Sequence, residues 1–216
     1  MVTRVEERRG EATVRGWWHG PARADGDGIM LTHGAGANCE SKLLTAVANA
    51  FEAAGCAVLR FDLPFRQERR YGPPGFGSAA RDRDGVRAAI ETMREKVSGR
   101  VFAGGHSYGG RQTSMLVADE PELADGLLLL SYPLHPPKRP EQVRTAHFPK
   151  LTRAAFFVHG TRDPFGTIEE LKGAIEATRG PHEIMEVEGG GHDLIGKAGG
   201  EELAARIVRE FRDFVR

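Results

Sequence analysis

The chain has 216 residues, 40% of them hydrophobic and 28% charged, and its 30 Lys plus Arg balance 30 Asp plus Glu to a formal net charge of zero. That length suits one compact α/β domain, residues 1–216, with a full core of its own, and the balance excludes a chain whose main work is holding nucleic acid or an anionic membrane, since both need a basic excess. Cys39 and Cys56 cannot build a disulfide framework, the opening segment Met1 to Arg9 has no apolar run, and the block Leu127 to Leu130 is far shorter than the ~20 residues of a membrane span, so a soluble cytoplasmic protein is expected.

Apolar blocks and helical periods alternate along the chain. Val2 to Glu7 and Thr13 to Trp18 read as two strands of a hairpin turning at Arg9-Gly10, with Trp17-Trp18 as hairpin packing. Ile29 to His33 is an apolar strand. A helix follows with Leu43, Leu44, Val47, Phe51 and Ala54 on one stripe and Gly55 as its stop. Ala57 to Phe61 is the next strand, and Pro64 to Gly77 reads as an irregular loop rich in Gly and Pro. Val86, Ile90, Met93 and Val97 mark another helix, Val101 to Gly104 a strand, Gly110 to Asp119 a helix and Leu127 to Ser131 a strand. A Pro-rich loop spans Pro133 to Pro149. Strand Ala155 to His159, a helix with Ile168, Leu171 and Ile175, strand Glu183 to Val187 and a last helix with Leu203, Ile207, Phe211, Phe214 and Val215 complete the pattern. Solidly apolar strands separated by helices predict an α/β fold, a mostly parallel sheet with helices on both faces. Ligands of such sheets bind outside the carboxyl ends of the strands, so the residues just past each strand matter most.

Past strand Val101 to Gly104 comes Gly105-His106-Ser107-Tyr108-Gly109-Gly110, a G-x-S-x-G turn between a strand and a helix. Gly105 and Gly109 flank Ser107 where a side chain would collide across the turn, and the following helix aims its N-terminus at any negative charge that develops there. The bland reading is a tight turn with a solvated serine. Past strand Ala155 to His159 comes Asp163, and past the last strand comes His192, 56 and 85 residues after Ser107. Alone, Asp163 is a helix cap and His192 a turn histidine. Together they stand in the order Ser, Asp, His, each beyond a different strand. A serine hydroxyl needs a base within hydrogen-bond reach and a carboxylate to orient that base. Ser107, Asp163 and His192 are therefore the candidate catalytic residues.

Past strand Ile29 to His33 comes His33-Gly34-Ala35-Gly36. An oxyanion needs two backbone N–H groups aimed at it, here expected from Ala35 and Tyr108, with His33 a structural hydrogen-bonder. The loop Pro64 to Tyr71 holds Arg66, Arg69 and Arg70 against Glu68. Arg66, closest to the strand end, is the candidate grip for an anionic substrate, against the plainer reading of a solvated surface arginine.

The segments His33-Gly34-Ala35-Gly36, Gly105 to Arg111, Ser131-Tyr132-Pro133-Leu134-His135-Pro136-Pro137 and His159 to Gly166 together resemble the α/β-hydrolase superfamily. Within it the chain is similar to small dienelactone-hydrolase-like serine hydrolases, on a branch that resembles the testis-expressed and histone-acetyltransferase-complex hydrolase-like proteins, over about residues 12–216. Dienelactone hydrolases proper carry cysteine at the elbow where this chain has Ser107, so that substrate does not carry over.

Other features read as bystanders. Gly191 to Ala198 nearly matches a phosphate loop but ends on Ala198, which lacks the hydroxyl that would hold magnesium. His19, His106, His147 and His182 lack ligand spacing, so no metal is expected. Cys39 and Cys56 read as packing residues and Asp62 as an organiser of its loop. The expectation is hydrolysis of an ester-like acyl bond in a small-molecule substrate, with no cofactor, no nucleic acid and no membrane. The short Pro133 to Pro149 stretch leaves little room for a cap, which favours short acyl groups. A non-catalytic interaction module, or an acyltransferase or peptidase on the same residues, stays open at this point.

Overall fold

The computed structural model describes residues 1–216 except 22, 23, 25 and 197–199. Among the described residues eight strands form one sheet: β1 (Val2–Arg9), β2 (Ala12–His19), β3 (Gly28–Thr32), β4 (Ala57–Phe61), β5 (Val101–His106), β6 (Gly126–Leu130), β7 (Ala154–Gly160) and β8 (His182–Val187). Their order in space is β1-β2-β4-β3-β5-β6-β7-β8. The β1–β2 hairpin joins antiparallel at one edge through β2–β4, and every pair from β4 to β8 is parallel.

Among the described residues six α-helices cover the faces: α1 (Lys42–Ala53), α2 (Pro64–Glu68), α3 (Ser78–Lys96), α4 (Tyr108–Asp119), α5 (Ile168–Ile175) and α6 (Glu201–Phe214). The central strands β3, β4 and β6 are buried at every position because both faces are covered. Two apolar clusters result, one on each face. One packs α3 residues Val86, Ile90 and Met93 against Leu59, Leu127 and Leu129. The other packs Val47 and Phe51 of α1 and Ile207 and Phe211 of α6 against Val58, Phe102, Leu128 and Phe156. Phe211 meets Phe51, Phe102 and Phe156 edge to face, with centroids 5.7, 5.2 and 6.1 Å away. Each such side chain, fully buried, contributes on the order of 1.5–3 kcal/mol by area alone.

Two local expectations change, and the third, an uncapped Pro-rich stretch, holds. The Gly/Pro loop after β4 opens with α2, because Pro64 at its first position presets a helical φ. α3 ends at Lys96, and Val97 turns extended to bridge Ala24. Between β6 and β7 only one 3₁₀ turn, Phe148–Lys150, interrupts the Pro-rich stretch, so no helical cap stands there. Of the phosphate-loop-like run, Lys197 and Ala198 lie outside the described residues. Among the described residues no helix is long and apolar enough to cross a membrane, and no cluster of three metal-ligating side chains occurs.

Strand order positions the site. The chain lays β4 on one side of β3 and then β5 on the other, so the order reverses at β3. A crevice opens beyond the carboxyl ends of strands at such a reversal. β3 leads there into His33-Gly34-Ala35 and β5 into Ser107.

Candidate active site

Ser107 occupies a sharp turn between β5 and α4, with φ 51° and ψ −118°. A non-glycine residue held there costs about 1–3 kcal/mol, which the packed strand and helix on either side must offset. The two flanking glycines are sterically required. A Cβ on Gly105 would lie 2.4 Å from the Thr32 carbonyl oxygen, and one on Gly109 would lie 2.5 Å from that of His33. The Ser107 N–H donates to the Leu130 carbonyl at 2.8 Å, and Ser107 is 8% exposed.

The structure brings Ser107, His192 and Asp163 together. His192 Nδ1 lies 2.8 and 3.0 Å from the two Asp163 carboxylate oxygens. A carboxylate only accepts, so Nδ1 carries the proton, and in the neutral ring Nε2 is left as an acceptor. Ser107 Oγ lies 2.8 Å from that Nε2 and donates to it. Asp163 is itself fixed by the Phe165 N–H, which donates to Oδ1 at 2.9 Å within the turn that follows β7. Asp193, the neighbour of His192, is exposed, and the ring's Nδ1 is taken by Asp163 instead.

Two residues that sequence reasoning left aside hold His192. The Phe165 ring stacks on the imidazole with centroids 4.1 Å apart. His106 Nε2–H donates to the His192 carbonyl at 2.7 Å. Both follow from positions beside predicted site residues, Phe165 two past Asp163 and His106 one before Ser107, but neither role shows in spacing alone. Burial pushes the His106 pKa down to about 4, so the ring is neutral when folded, while in the unfolded chain it titrates near 6.5. His147 is depressed in the same way to about 4. Below about pH 6.5 the unfolded chain takes up protons that the folded chain refuses, so stability falls as pH drops toward 4. Urea unfolding midpoints are expected to be lower at pH 5 than at pH 7, with a smaller drop in His106→Asn. An equal drop in that variant would show that His106 does not carry the effect.

The loop after β3 approaches Ser107 from the neighbouring strand. Among the described residues the N–H groups of Ala35 and Tyr108 donate to no protein acceptor. The peptide that carries the Ala35 N–H is held by its own carbonyl: His33 Nδ1–H donates to the Gly34 oxygen at 2.9 Å. The Leu63 N–H donates to His33 Nε2 at 3.1 Å, which fixes that tautomer. The Tyr108 hydroxyl donates to Asp82 at 2.7 Å, and Asp82 also accepts from the Phe65 N–H.

Arg66 is engaged by the protein's own backbone. It is 7% exposed, and its guanidinium donates to four backbone carbonyls: Ala37 at 2.7 Å, Ala35 at 2.8 Å, Gly72 at 2.9 Å and Arg69 at 3.1 Å. The reason is local. α2 turns the side chain back under the loop after β3, where the carbonyls of a tight turn have no other donor. Arg66 is thus a clasp on that loop, and the expected grip on an anion falls away. Asp62 accepts from the Cys39 N–H at 2.7 Å. Both cysteines are buried, and burial raises their thiol pKa values, that of Cys56 to about 12.

The alpha/beta hydrolase domain family matches residues 26–215 of the chain. Among solved structures, dienelactone hydrolase from Anabaena variabilis superposes with a TM-score of 0.79 at 19% identity, covering 100% of this chain and 99% of that one. Est1E from Butyrivibrio proteoclasticus gives 0.76 at 17% identity, with 98% of each chain covered. The esterase domain of a Rhodothermus marinus protein gives 0.72 at 15% identity, with 100% of each covered. At these identities the likeness establishes a shared fold.

Proposed function

The chain belongs to the alpha/beta hydrolase domain family, and on that premise we propose that it is a serine hydrolase cleaving an ester-like acyl bond of a small molecule. The observation that carries the proposal is the unbroken hydrogen-bonded chain from Ser107 Oγ through His192 to Asp163. In this reading Ser107 Oγ attacks the acyl carbon while His192 Nε2 takes its proton. The carbonyl oxygen becomes an oxyanion, received by the N–H groups of Ala35 and Tyr108. The acyl–oxygen or acyl–sulfur bond then breaks, and His192 returns the proton to the leaving group. Water, deprotonated by the same Nε2, attacks the acyl-Ser107 carbonyl, the acyl–Oγ bond breaks, and His192 returns the proton to Ser107 Oγ as the acid leaves. Asp163 keeps the imidazole in the productive tautomer and stabilises its charged form. The steps need only the substrate and water. The esterase and dienelactone hydrolase names of the structural relatives support the reaction class.

Reaction with a fluorophosphonate probe tests the proposal, since only an activated serine is labelled. Absence of labelling in folded protein would favour a non-catalytic interaction module on the same fold. A series of p-nitrophenyl esters and matched thioesters reads the acyl group. With only the Pro-rich stretch between β6 and β7 above the site, each further CH₂ of a long chain stays in water and forfeits about 0.8 kcal/mol. The expected kcat/KM therefore levels off at short chains. A steady rise to long chains would contradict the uncapped site. The single domain over residues 1–216 and a cytoplasmic, reducing compartment remain part of the proposal, supported by one continuous sheet and by two buried free cysteines.

The clasp on the oxyanion loop gives a further expectation. Arg66→Met frees the carbonyls of Ala35 and Ala37, and the Ala35 N–H drifts from its aim. Loss of one oxyanion donor costs up to roughly 10²–10³ in kcat. A fall of about 10² with little change in KM is expected, and Arg66→Lys should not restore it, because an ammonium cannot span four acceptors as the planar fork does. A change confined to KM would instead give Arg66 to substrate binding.

A further inference from the structure

Among the described residues, the arginines that lie partly or fully buried are paired, with the exceptions of Arg111 and Arg144. Arg60 donates to His19 and Thr45, Arg66 to four carbonyls, and Arg87 to Glu120 and Asp84. Arg111 and Arg144 are half-buried. Among the described residues neither guanidinium has a hydrogen-bond acceptor or an ion-pair partner, and Arg111 Nε is wholly buried without one. A guanidinium N–H that is buried without an acceptor is unfavourable, and two neighbouring guanidiniums also repel. Proteins keep such arrangements where a ligand supplies the missing charge.

Their placement is specific. Arg111 stands one helical turn beyond Ser107, and its N–H donates to the Ser107 carbonyl at 2.9 Å. Arg144 lies on the stretch that leaves the carboxyl end of β6 and returns to β7. Its N–H donates to the Leu134 carbonyl at 2.8 Å, and its carbonyl accepts the Tyr132 hydroxyl at 2.6 Å. The two positions are tied through one small cluster: Ser114 Oγ lies 3.0 Å from the Arg111 carbonyl and 2.9 Å from His147 Nε2, and the His147 ring lies beside Tyr132 at 6.4 Å between centroids.

We propose that Arg111 and Arg144 form an oxyanion subsite beside Ser107, which takes a carboxylate or phosphate group carried by the substrate. The proposal rests on the serine-hydrolase reading for its use and on the unpaired guanidiniums for its existence. Among the described residues no carboxylate forms an ion pair with either guanidinium, and the group that faces Arg111 is the Tyr132 hydroxyl. Burial, together with the charge of Arg111, lowers the Arg144 pKa, which places the two guanidiniums within each other's field. Burial and Arg111 hold His147 neutral, with a pKa of about 4, and burial raises the Tyr132 hydroxyl so that it too is neutral. Asp119, the carboxylate that acts on His147, is engaged by Lys150 at 2.9 Å. Planar guanidinium forks match both oxyanions by two-pronged hydrogen bonds. The same reasoning selects an acyl or leaving group with its negative charge a few bonds from the scissile carbonyl.

Two measurements test this. The first is the kcat/KM ratio for the p-nitrophenyl half-ester of glutarate against its methylated, neutral counterpart. Wild type is expected to favour the anionic ester about tenfold or more, and Arg144→Gln and Arg111→Lys to lower that ratio by a similar factor. Equal ratios in wild type and both variants would overturn the subsite. The second is calorimetric binding of glutarate, inorganic phosphate and neutral dimethyl glutarate to Ser107→Ala protein, which needs no turnover. Saturable binding of one oxyanion, weakened by salt and by Arg144→Gln, is expected, and the tighter of the two names the group. Equal behaviour of all three compounds would sink the idea. If neither ester turns over and no probe labels Ser107, yet an oxyanion binds through Arg144, the hydrolase reading fails and the subsite stands. Turnover of both esters at equal ratios without oxyanion binding leaves the hydrolase reading intact and removes the subsite.

Discussion

Ser107→Ala is expected to lower kcat by roughly 10⁴- to 10⁶-fold and to abolish fluorophosphonate labelling while the protein stays folded. The size follows from geometry. His192 Nε2 has Ser107 Oγ 2.8 Å away, and among the described residues no other nucleophile is placed on that nitrogen. The residual rate would come from the oxyanion donors and from binding, which the substitution leaves in place. The fold should survive because among the described residues Oγ makes only that one side-chain bond, whereas the strained backbone is set by the packing of Gly105 and Gly109 against Thr32 and His33. Alanine at φ 51° is no worse placed than serine, so the unfolding midpoint should move little. Near-normal turnover by folded Ser107→Ala would end the acyl-serine mechanism.

Asp163→Asn should be nearly as damaging, with kcat/KM lower by about 10⁴, while Asp193→Asn changes it by less than a few-fold. Both acids are near His192 in sequence or in space, and only one meets its ring. The Asp163 carboxylate lies 2.8 Å from Nδ1 and is fully buried in its side chain. An amide there can present its NH₂ to Nδ1, which moves the ring proton to Nε2 and removes the acceptor that Ser107 requires. Asp193 is exposed to solvent, and its effect on the ring is screened. The opposite ranking in measured kcat/KM would hand the orienting role to Asp193. Phe165 adds an internal control. Its N–H donates to the Asp163 carboxylate through the backbone, so Phe165→Leu removes the ring stacked on His192 and keeps that bond.

Ser107, Asp163 and His192 were legible in the chain because each follows a block of apolar residues, and blocks of that kind end at one edge of a parallel sheet. The elbow was readable for a steric reason as well: two glycines flank the serine where the backbones of β3 and its loop leave no room for a Cβ. Sequence also predicted the hairpin at Arg9-Gly10 and the helix stop at Gly55, which adopts φ 81°. α2 was not legible, since its five residues are too few for a period and their Pro and Gly neighbours read as a loop.

What composition and order determined by themselves was a covered parallel sheet, the edge at which side chains could collect, and the three residues that meet there in one hydrogen-bonded chain. Hydrophobic period and turn chemistry are local signals, and each acts within about ten residues of chain. The tertiary structure decided which charges reach that edge. Arg66 sits closer in sequence to a strand end than Arg144 does, yet α2 folds it under the loop after β3 onto four carbonyls, whereas among the described residues the Arg144 guanidinium, on the stretch after β6, has no acceptor. A long side chain is committed by whichever acceptors the packed backbone leaves unsatisfied, and those are set by strand order and loop path, far outside the window any local pattern can see.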